Sequence, residues 1–437
     1  MPKCTQKEMS FPSFDRREIE ANFAGGNVSS DGGVMLLRQA DRHLGLVKAL
    51  DAVLPDPRHP VFITHRQVDL LRQRIYGLAL GYEDLNDHDR LRGDVAWQTA
   101  LERSDELASD STLCRLEQRV DRRAAAAFHE VLVEQFIASF EQAPHELILD
   151  FDATDDRVHG NQEGRHFHGY YGDWCFLPLY VFCGEQLLVS YLRPSNIDAA
   201  HHAWAILKLL VRRLRAQWPQ VRIIVRADSG FCRRKMLGWC ERTGIDYVIG
   251  LARNPRLEAL GAALMGQAGH AFAAEGSKQR LFGWLDYAAL TWERQRRVIA
   301  KAEYGEKGRN PRFVVTSLAG DAQQIYDEIY CARGEMENRI KEQQLGLFSD
   351  RTSAQGWWAN QFRVLLSATA YVLLESIRRL GLHDSELARA QVGTIRLKLL
   401  KIGTVIVCNT RRIRFFFSSA YPYQGLFKSV CAVFSSA

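Results

Sequence analysis

A chain of 437 residues with 46% hydrophobic content is long enough for two or three domains and apolar enough for a sizeable core. A formal charge of +6 and an isoelectric point near 8.8 suit a polyanionic partner without requiring one. The longest apolar run, Leu365 to Leu374, is too short to span a bilayer, which argues against a membrane protein.

The opening MPKCTQKEMSFPSFD lacks the apolar stretch of a signal peptide. Nine cysteines with no CxxC pair speak against a zinc ribbon and for reduced thiols, so a cytoplasmic location is expected. Residues up to about 28 read as an irregular lead. SSDGG, Ser29 to Gly33, is turn chemistry ahead of a helical pattern, and LPDPRHP, Leu54 to Pro60, is a proline break. Helices are expected from His65 to Leu80, after HDRLRGD, from a cap at Ser111 or Thr112, and over 124–140.

The informative stretch is LILDFDATDD, Leu147 to Asp156. Its apolar residues predict a buried strand, with Asp150 and Asp152 on one face opposite Phe151. Carboxylates on a buried strand repel one another and lose hydration, so they need a cation or a basic partner. A hard divalent metal meets that need with oxygen ligands. The following VHGNQEGRHFHGYYGD suits a hairpin or solvated loop. Its His159, His166 and His168 have no obvious fourth ligand, which disfavours zinc. Two strands over 175–184 and 186–195 turn at Gly184-Glu185, and a helix over 199–217 follows.

VRIIVRADSGF, Val221 to Phe231, repeats the form: a strand ending in Asp228, with Arg222 and Arg226 interrupting the alternation. Arg233, Arg234 and Lys235 come next. Phosphate contact and a plain solvated helix start are the two readings. Thr243 to Asn254 gives a further turn and strand. Residues 255–318 hold segments, AFAAEG, RLFGWLDYAAL, RQRRVIAKAEYG and PRFVVTSL, that read as strands. In YCARGEMENRIKEQQ a regular helix would bring Tyr330, Arg333, Glu337, Lys341 and Gln344 within an arc of roughly 80°, with Glu335 and Arg339 pointing elsewhere. A buried helix is expected from Trp357 to Arg379, and VGTIRLKLLKIGTVIVCNTRRIRFFF has strand character.

Asp152, Asp228 and Glu337 thus form an Asp, Asp, Glu set on three elements, the usual means of holding divalent ions for phosphodiester chemistry. On FDATDD, ADSGF and YCARGEMENRIKE the chain resembles an insertion-sequence DDE transposase. The resemblance runs from Ser29 to about Arg378. It implies an α/β fold: a ribonuclease H-like mixed-sheet core, a helical N-terminal region and an inserted β-rich subdomain. Its segments would be 1–140 for DNA-end binding, 141–254 and 319–380 for the core, 255–318 for the insertion, and 381–437 for DNA or subunit contacts.

The resemblance also implies that Asp152, Asp228 and Glu337 are both catalytic residues and ligands of Mg²⁺, with Mn²⁺ able to substitute. Tyr330 and Arg333 match the helix series. The lysine such helices usually carry falls at Gln344, so Lys341, one turn nearer, is expected to take the basic role. Trp284 and Trp292 in the insertion are candidates for base stacking, with core packing the favoured reading of each. The implied partners are double-stranded DNA with terminal inverted repeats and target DNA, bound by a homodimer in a bacterial cytoplasm. The rivals are a metal-dependent nuclease that cuts without joining and a non-catalytic DNA-binding derivative. No GK[ST] follows Gly25-Gly26 or Gly32-Gly33, which disfavours a P-loop enzyme.

Overall fold

The computed structural model describes residues 9–435. They form two compact units, one of residues 117–372 and one in which the chain before 117 folds with the chain after 372. Among the described residues no helix is long and apolar enough to cross a membrane.

In the discontinuous unit the SSDGG turn is a crossing point. Buried Asp31 accepts hydrogen bonds from Tyr82 Oη at 2.7 Å and Trp97 Nε1 at 2.9 Å, and pairs with Lys401 Nζ at 2.8 Å. Glycine is needed at position 33, because a Cβ there would stand 2.2 Å from the Leu399 carbonyl oxygen. Helices Val34–Leu44, Leu46–Val53, Gln67–Leu80 and Val95–Ala100 pack around this crossing.

Three expectations change in this region. The lead is not irregular: Met9–Phe14 and Arg17–Ala21 form a hairpin, and Asn27–Ser29 pairs with Thr404–Asn409 in a small sheet. The start of residues 1–28, positions 1–8, lies outside the described residues. The helix expected to be capped at Ser111 or Thr112 begins at Asp110. VGTIRLKLL is helical over Val392–Leu400, not a strand. There the Arg396 guanidinium donates to the carbonyls of Leu78 and Ala79 at the end of the Gln67–Leu80 helix. A cation at a helix C-terminus favours that arrangement over the local β-propensity.

The continuous unit is built on one long mixed sheet. Its strands are β1 (Glu146–Ala153), β2 (Leu179–Cys183), β3 (Gln186–Tyr191), β4 (Arg222–Ala227), β5 (Asp246–Leu251), β6 (Gln279–Tyr287), β7 (Arg296–Gly305) and β8 (Arg312–Thr316). They lie in the order β6-β7-β8-β5-β4-β1-β2-β3, with a short Gly308–Arg309 strand on β7. β1, β4 and β5 are parallel, and β2 and β3 are antiparallel additions. Five strands in the order β3-β2-β1-β4-β5 make this a ribonuclease H-like core. β4 is apolar at Ile223, Ile224, Val225 and Ala227, as suits a parallel strand covered on both faces, and Arg226 interrupts the run.

Alternation divides the core into two layers. Leu147, Leu149, Phe151, Ile223, Val225, Tyr247 and Ile249 face helices Arg122–Ala138, Ala203–Gln217 and Arg234–Arg242. Ile148, Ile224 and Val248 face Ile325, Tyr326 and Tyr330. The stretch 255–318 is β-rich in its second part, but its strands join the core sheet through the antiparallel β8–β5 pairing. AFAAEG, expected as a strand, ends the helix Ala262–Glu275, where alanine-rich sequence favours the helix.

The interruption at Arg226 has a specific cause. Its Nε and Nη2 hold both oxygens of Asp150 on β1, at 2.5 and 2.7 Å, and both side chains are buried. Its Nη1 donates to the Ile329 carbonyl at 2.6 Å. One guanidinium therefore joins two strands and the helical segment above them. Arg226→Ala would leave a buried, unpaired carboxylate and should destabilise this unit by about 3–5 kcal/mol. The paired Asp150→Leu, Arg226→Met replacement should recover most of that loss in thermal unfolding.

Candidate active site

The parallel register decides where the acids meet. Ala227 pairs with Phe151 on one side and with Ile249 on the other. One residue further, Asp228 stands level with Asp152 and Gly250, on strands roughly 5 Å apart. By alternation, Asp152 and Asp228 project onto the face covered by the segment 325–341. Asp228 Oδ1 also accepts the Gly230 N–H at 2.8 Å as the chain turns into a short 3₁₀ segment, Ser229–Phe231.

The third acid arrives on an irregular helical run. Ile325–Tyr330 is π-helical, Cys331–Arg333 is 3₁₀, and Gly334–Lys341 is α-helical. The regular 100° wheel does not apply across these changes of pitch, but Tyr330 and Arg333 still meet at the acids. Arg333 Nη1 lies 3.1 Å from Asp152 Oδ2, and its Nη2 lies 2.5 Å from Glu337 Oε1. Arg333 thus bridges the first and third acids. The Tyr330 hydroxyl lies over residue 250, beside the start of the Asp228–Ser229 turn, because that residue is glycine. A Cβ there would lie 2.6 Å from Tyr330 Oη and 2.8 Å from the Ser229 nitrogen.

Burial raises the pKa of Asp152 to about 6. Arg333 pulls it down, while Asp228 and Glu337 push it further up. Burial likewise raises the Tyr330 hydroxyl, with Asp228 adding to it and Arg333 opposing it. This is a pocket of mutually repelling oxygen ligands, partly neutralised by one guanidinium. Its donors are those a hard divalent cation takes. Among the described residues no three His, Cys, Asp or Glu side chains already converge on one point, because Glu337 is turned to Arg333.

The other expected residues divide. Lys341 is exposed one turn beyond Glu337, while Gln344 donates to the Asp155 carbonyl at 2.9 Å beneath the first-acid strand. Arg233 and Arg234 are exposed and hold Asp198 and Glu293 respectively. Trp292 packs against the core, edge-on to Tyr287 and under Arg296. Trp284 packs in the Tyr330 layer with Arg297 at 3.8 Å over its ring. Both rings are engaged within the fold. In the insertion, Arg294 and Arg296 are held by Glu241 and Lys301 by Glu303, leaving Lys307 and Arg309 exposed. Arg339, expected to point elsewhere, pairs with Glu185 and Glu342.

Asp150 stands out in the sequence with Asp152, but its partner Arg226 and the role of Gly250 were not legible, although the arginine breaking an apolar strand was the available signal for the pair.

The strand order, with carboxylates level with each other at the ends of two adjacent parallel strands, defines a ribonuclease H-like protein with an acidic site on its sheet. The family model described as transposase DDE domain group 1 matches residues 11–437, and the chain belongs to that family: it is a DDE transposase. No curated protein matched the sequence. Among solved structures, the chain is similar to a piggyBac transposase in a cryo-EM synaptic complex with hairpin DNA. The identity is 8% and the TM-score 0.43, over 84% of this chain and 80% of the other.

Two outcomes are expected. Gly250→Ala should cost about 1–3 kcal/mol through overpacking and displace the Tyr330 hydroxyl, seen as a lowered Tm and altered tyrosine fluorescence. Asp152 holds its proton to about pH 6 when folded, against about 3.9 unfolded. The native state therefore binds more protons between those values, and its stability falls as pH rises through them. With metal chelated, Asp152→Asn should raise Tm at pH 7.5, with the two proteins converging below about pH 4.

Proposed function

We propose that the protein cleaves the ends of its DNA element and joins the freed 3′-hydroxyl to target DNA. The observation that carries this reading is the register that sets Asp152 beside Asp228, under the segment bearing Arg333 and Glu337. Asp152, Asp228 and Glu337 would hold Mg²⁺, with Mn²⁺ as a substitute. When bound, such ions activate the attacking oxygen and stabilise the leaving one in an in-line displacement.

This chain's own residues do the rest. Burial and repulsion make Asp152 and Asp228 a poor pair of bare anions, and so a strong receptor for a cation. Glu337 must exchange Arg333 for that cation. The released Arg333 is then free to take a non-bridging phosphate oxygen by charge-assisted hydrogen bonds, which a neutral side chain supplies more weakly. Tyr330, whose hydroxyl fills the space over Gly250, borders the same pocket and offers a hydroxyl donor. Exposed Lys341, Arg233 and Arg234 are placed to track the backbone, the last two by releasing Asp198 and Glu293. Trp284 and Trp292 remain candidates for base contact only if their arginine-covered rings open.

Double-stranded DNA with terminal inverted repeats, target DNA and a homodimer that pairs two ends complete the reading, in a bacterial cytoplasm. The segments proposed for the remaining roles are 1–140 for end binding and 381–437 for DNA or subunit contacts. Exposed Arg411, Arg412 and Arg414 support the second assignment.

The test uses purified protein, Mg²⁺ and labelled DNA carrying the element's own end. Release of a 3′-hydroxyl and its joining to plasmid is expected, and is lost in Asp228→Ala while DNA affinity stays largely intact. Cleavage retained by that variant would remove Asp228 from the centre, and cutting without joining would assign a nuclease. Arg333→Ala should slow cleavage by about 10²–10³-fold, a loss typical of one preorganised donor, and Arg333→Lys should recover part of it.

A further inference from the structure

A small three-stranded flap follows the first acid. Asp156–Arg157 and His166–His168 pair on either side of Asp173–Phe176, and the flap begins four residues past Asp152. Its buried side is well anchored. Cys175 and Phe176 are fully buried, Ser195 Oγ donates to the His166 carbonyl at 2.9 Å, and Asp156 Oδ2 accepts from Thr352 at 3.0 Å. Its outer side carries aromatic rings that nothing in the fold requires. Phe167 and Trp174 are cross-strand partners with ring centroids 6.2 Å apart, and they are 57% and 45% exposed. Tyr170, in the turn, is 86% exposed.

Large exposed aromatics on a short hairpin are unfavourable unless something covers them. The surrounding chemistry indicates what does. Arg165 lies over the Trp174 ring at 4.4 Å, and Arg157 is exposed, held only loosely by Asp155 at 3.5 Å and Asp173 at 3.7 Å. Rings with a π-face beside guanidinium groups match a base beside its phosphate. The root of the flap is tied to the run that carries the third acid, because Gln344 Nε2 donates to the Asp155 carbonyl at 2.9 Å, one residue before the flap begins. In the turn, Tyr171 meets Tyr170 edge-on at 5.0 Å. The two other tryptophan candidates for base stacking, Trp284 and Trp292, pack against the buried clusters of the sheet, whereas Trp174 stands on the outer side of the flap.

We infer that the flap is a stacking platform for unpaired DNA bases next to the scissile phosphate, with Trp174, Phe167 and Tyr170 taking the bases and Arg165 and Arg157 the phosphates. The inference rests on reading Asp152 and Asp228 as the DNA-cutting centre. A platform there would capture nucleotides that leave the duplex as the end is opened, and hold the strand in register with the acids. Stacking tolerates any base, so the flap contributes affinity for single strands and not sequence choice.

The test measures binding alone, with metal chelated, so that it is independent of cleavage. Fluorescence anisotropy of the full chain is read on a short oligothymidylate, on a duplex with a single-stranded tail, and on the same duplex blunt. Trp174→Ala and Tyr170→Ala should each weaken the oligothymidylate and the tailed duplex about 5- to 100-fold, from the usual stacking contribution per base. Blunt-duplex binding should stay within about twofold, and Trp174→Phe should behave as wild type. Tyr170 is exposed enough that its truncation tests the idea even if Trp174→Ala misfolds.

Equal losses on blunt and tailed DNA, or no loss on either, would overturn the inference. So would a change of oligomeric state in light scattering without a change in single-strand affinity, which would assign the aromatic face to a protein contact. Absence of cleavage by the wild-type protein would count against the proposed function and leave this measurement unmoved.

Discussion

The site depends on the buried pair between Asp150 and Arg226. Alternation puts Asp150 and Asp152 on the same face of one strand, so two carboxylates press on the same low-dielectric layer. Arg226 neutralises the deeper one with both of its forward nitrogens and spends the third on the Ile329 carbonyl. The shallower acid, Asp152, keeps its chemistry. The same guanidinium fixes the height at which the Tyr330–Arg333 segment crosses the sheet. Arg226 is therefore a strut between the first-acid strand and the segment that carries Arg333.

A second arginine works in the opposite sense. Arg333 is held by Asp152 and Glu337 near the rim of the sheet, where Glu337 is 45% exposed and can exchange partners. A pair buried on both sides is hard to exchange, while one with an exposed member is not. The two arginines thus differ in depth: one pair is buried on both sides, and the other has a half-exposed member. π-Helical and 3₁₀ turns just before Arg333 let the segment leave the regular wheel at the point where its side chains must meet two different strands.

Much of this was legible in the sequence. Asp152, Asp228 and Glu337 stand out because acids at the ends of apolar strands, or on a basic helix face, have no cheap structural use. The central strands were legible from their apolar runs. The rest was hidden for physical reasons. The pairing of β8 with β5 is non-local, so nothing within 255–318 shows that its strands extend the core sheet. Gly250 looks like any glycine in a strand until the tyrosine that occupies its missing side chain is known. Arg226 looked like a flaw in the alternation, because its partner is 76 residues away. Arg396 shows the same limit in the other unit, where a cap for a distant helix decides the local structure of a β-prone run.

The crossing at Asp31 has a consequence in time. The salt link from Asp31 to Lys401 and the contact of Gly33 with Leu399 join segments separated by almost the whole chain, while the sheet unit lies entirely between them. On the ribosome the sheet unit can close as soon as its own residues emerge. The split unit must wait for Lys401. A product truncated before Lys401 therefore carries the mixed sheet with no finished companion.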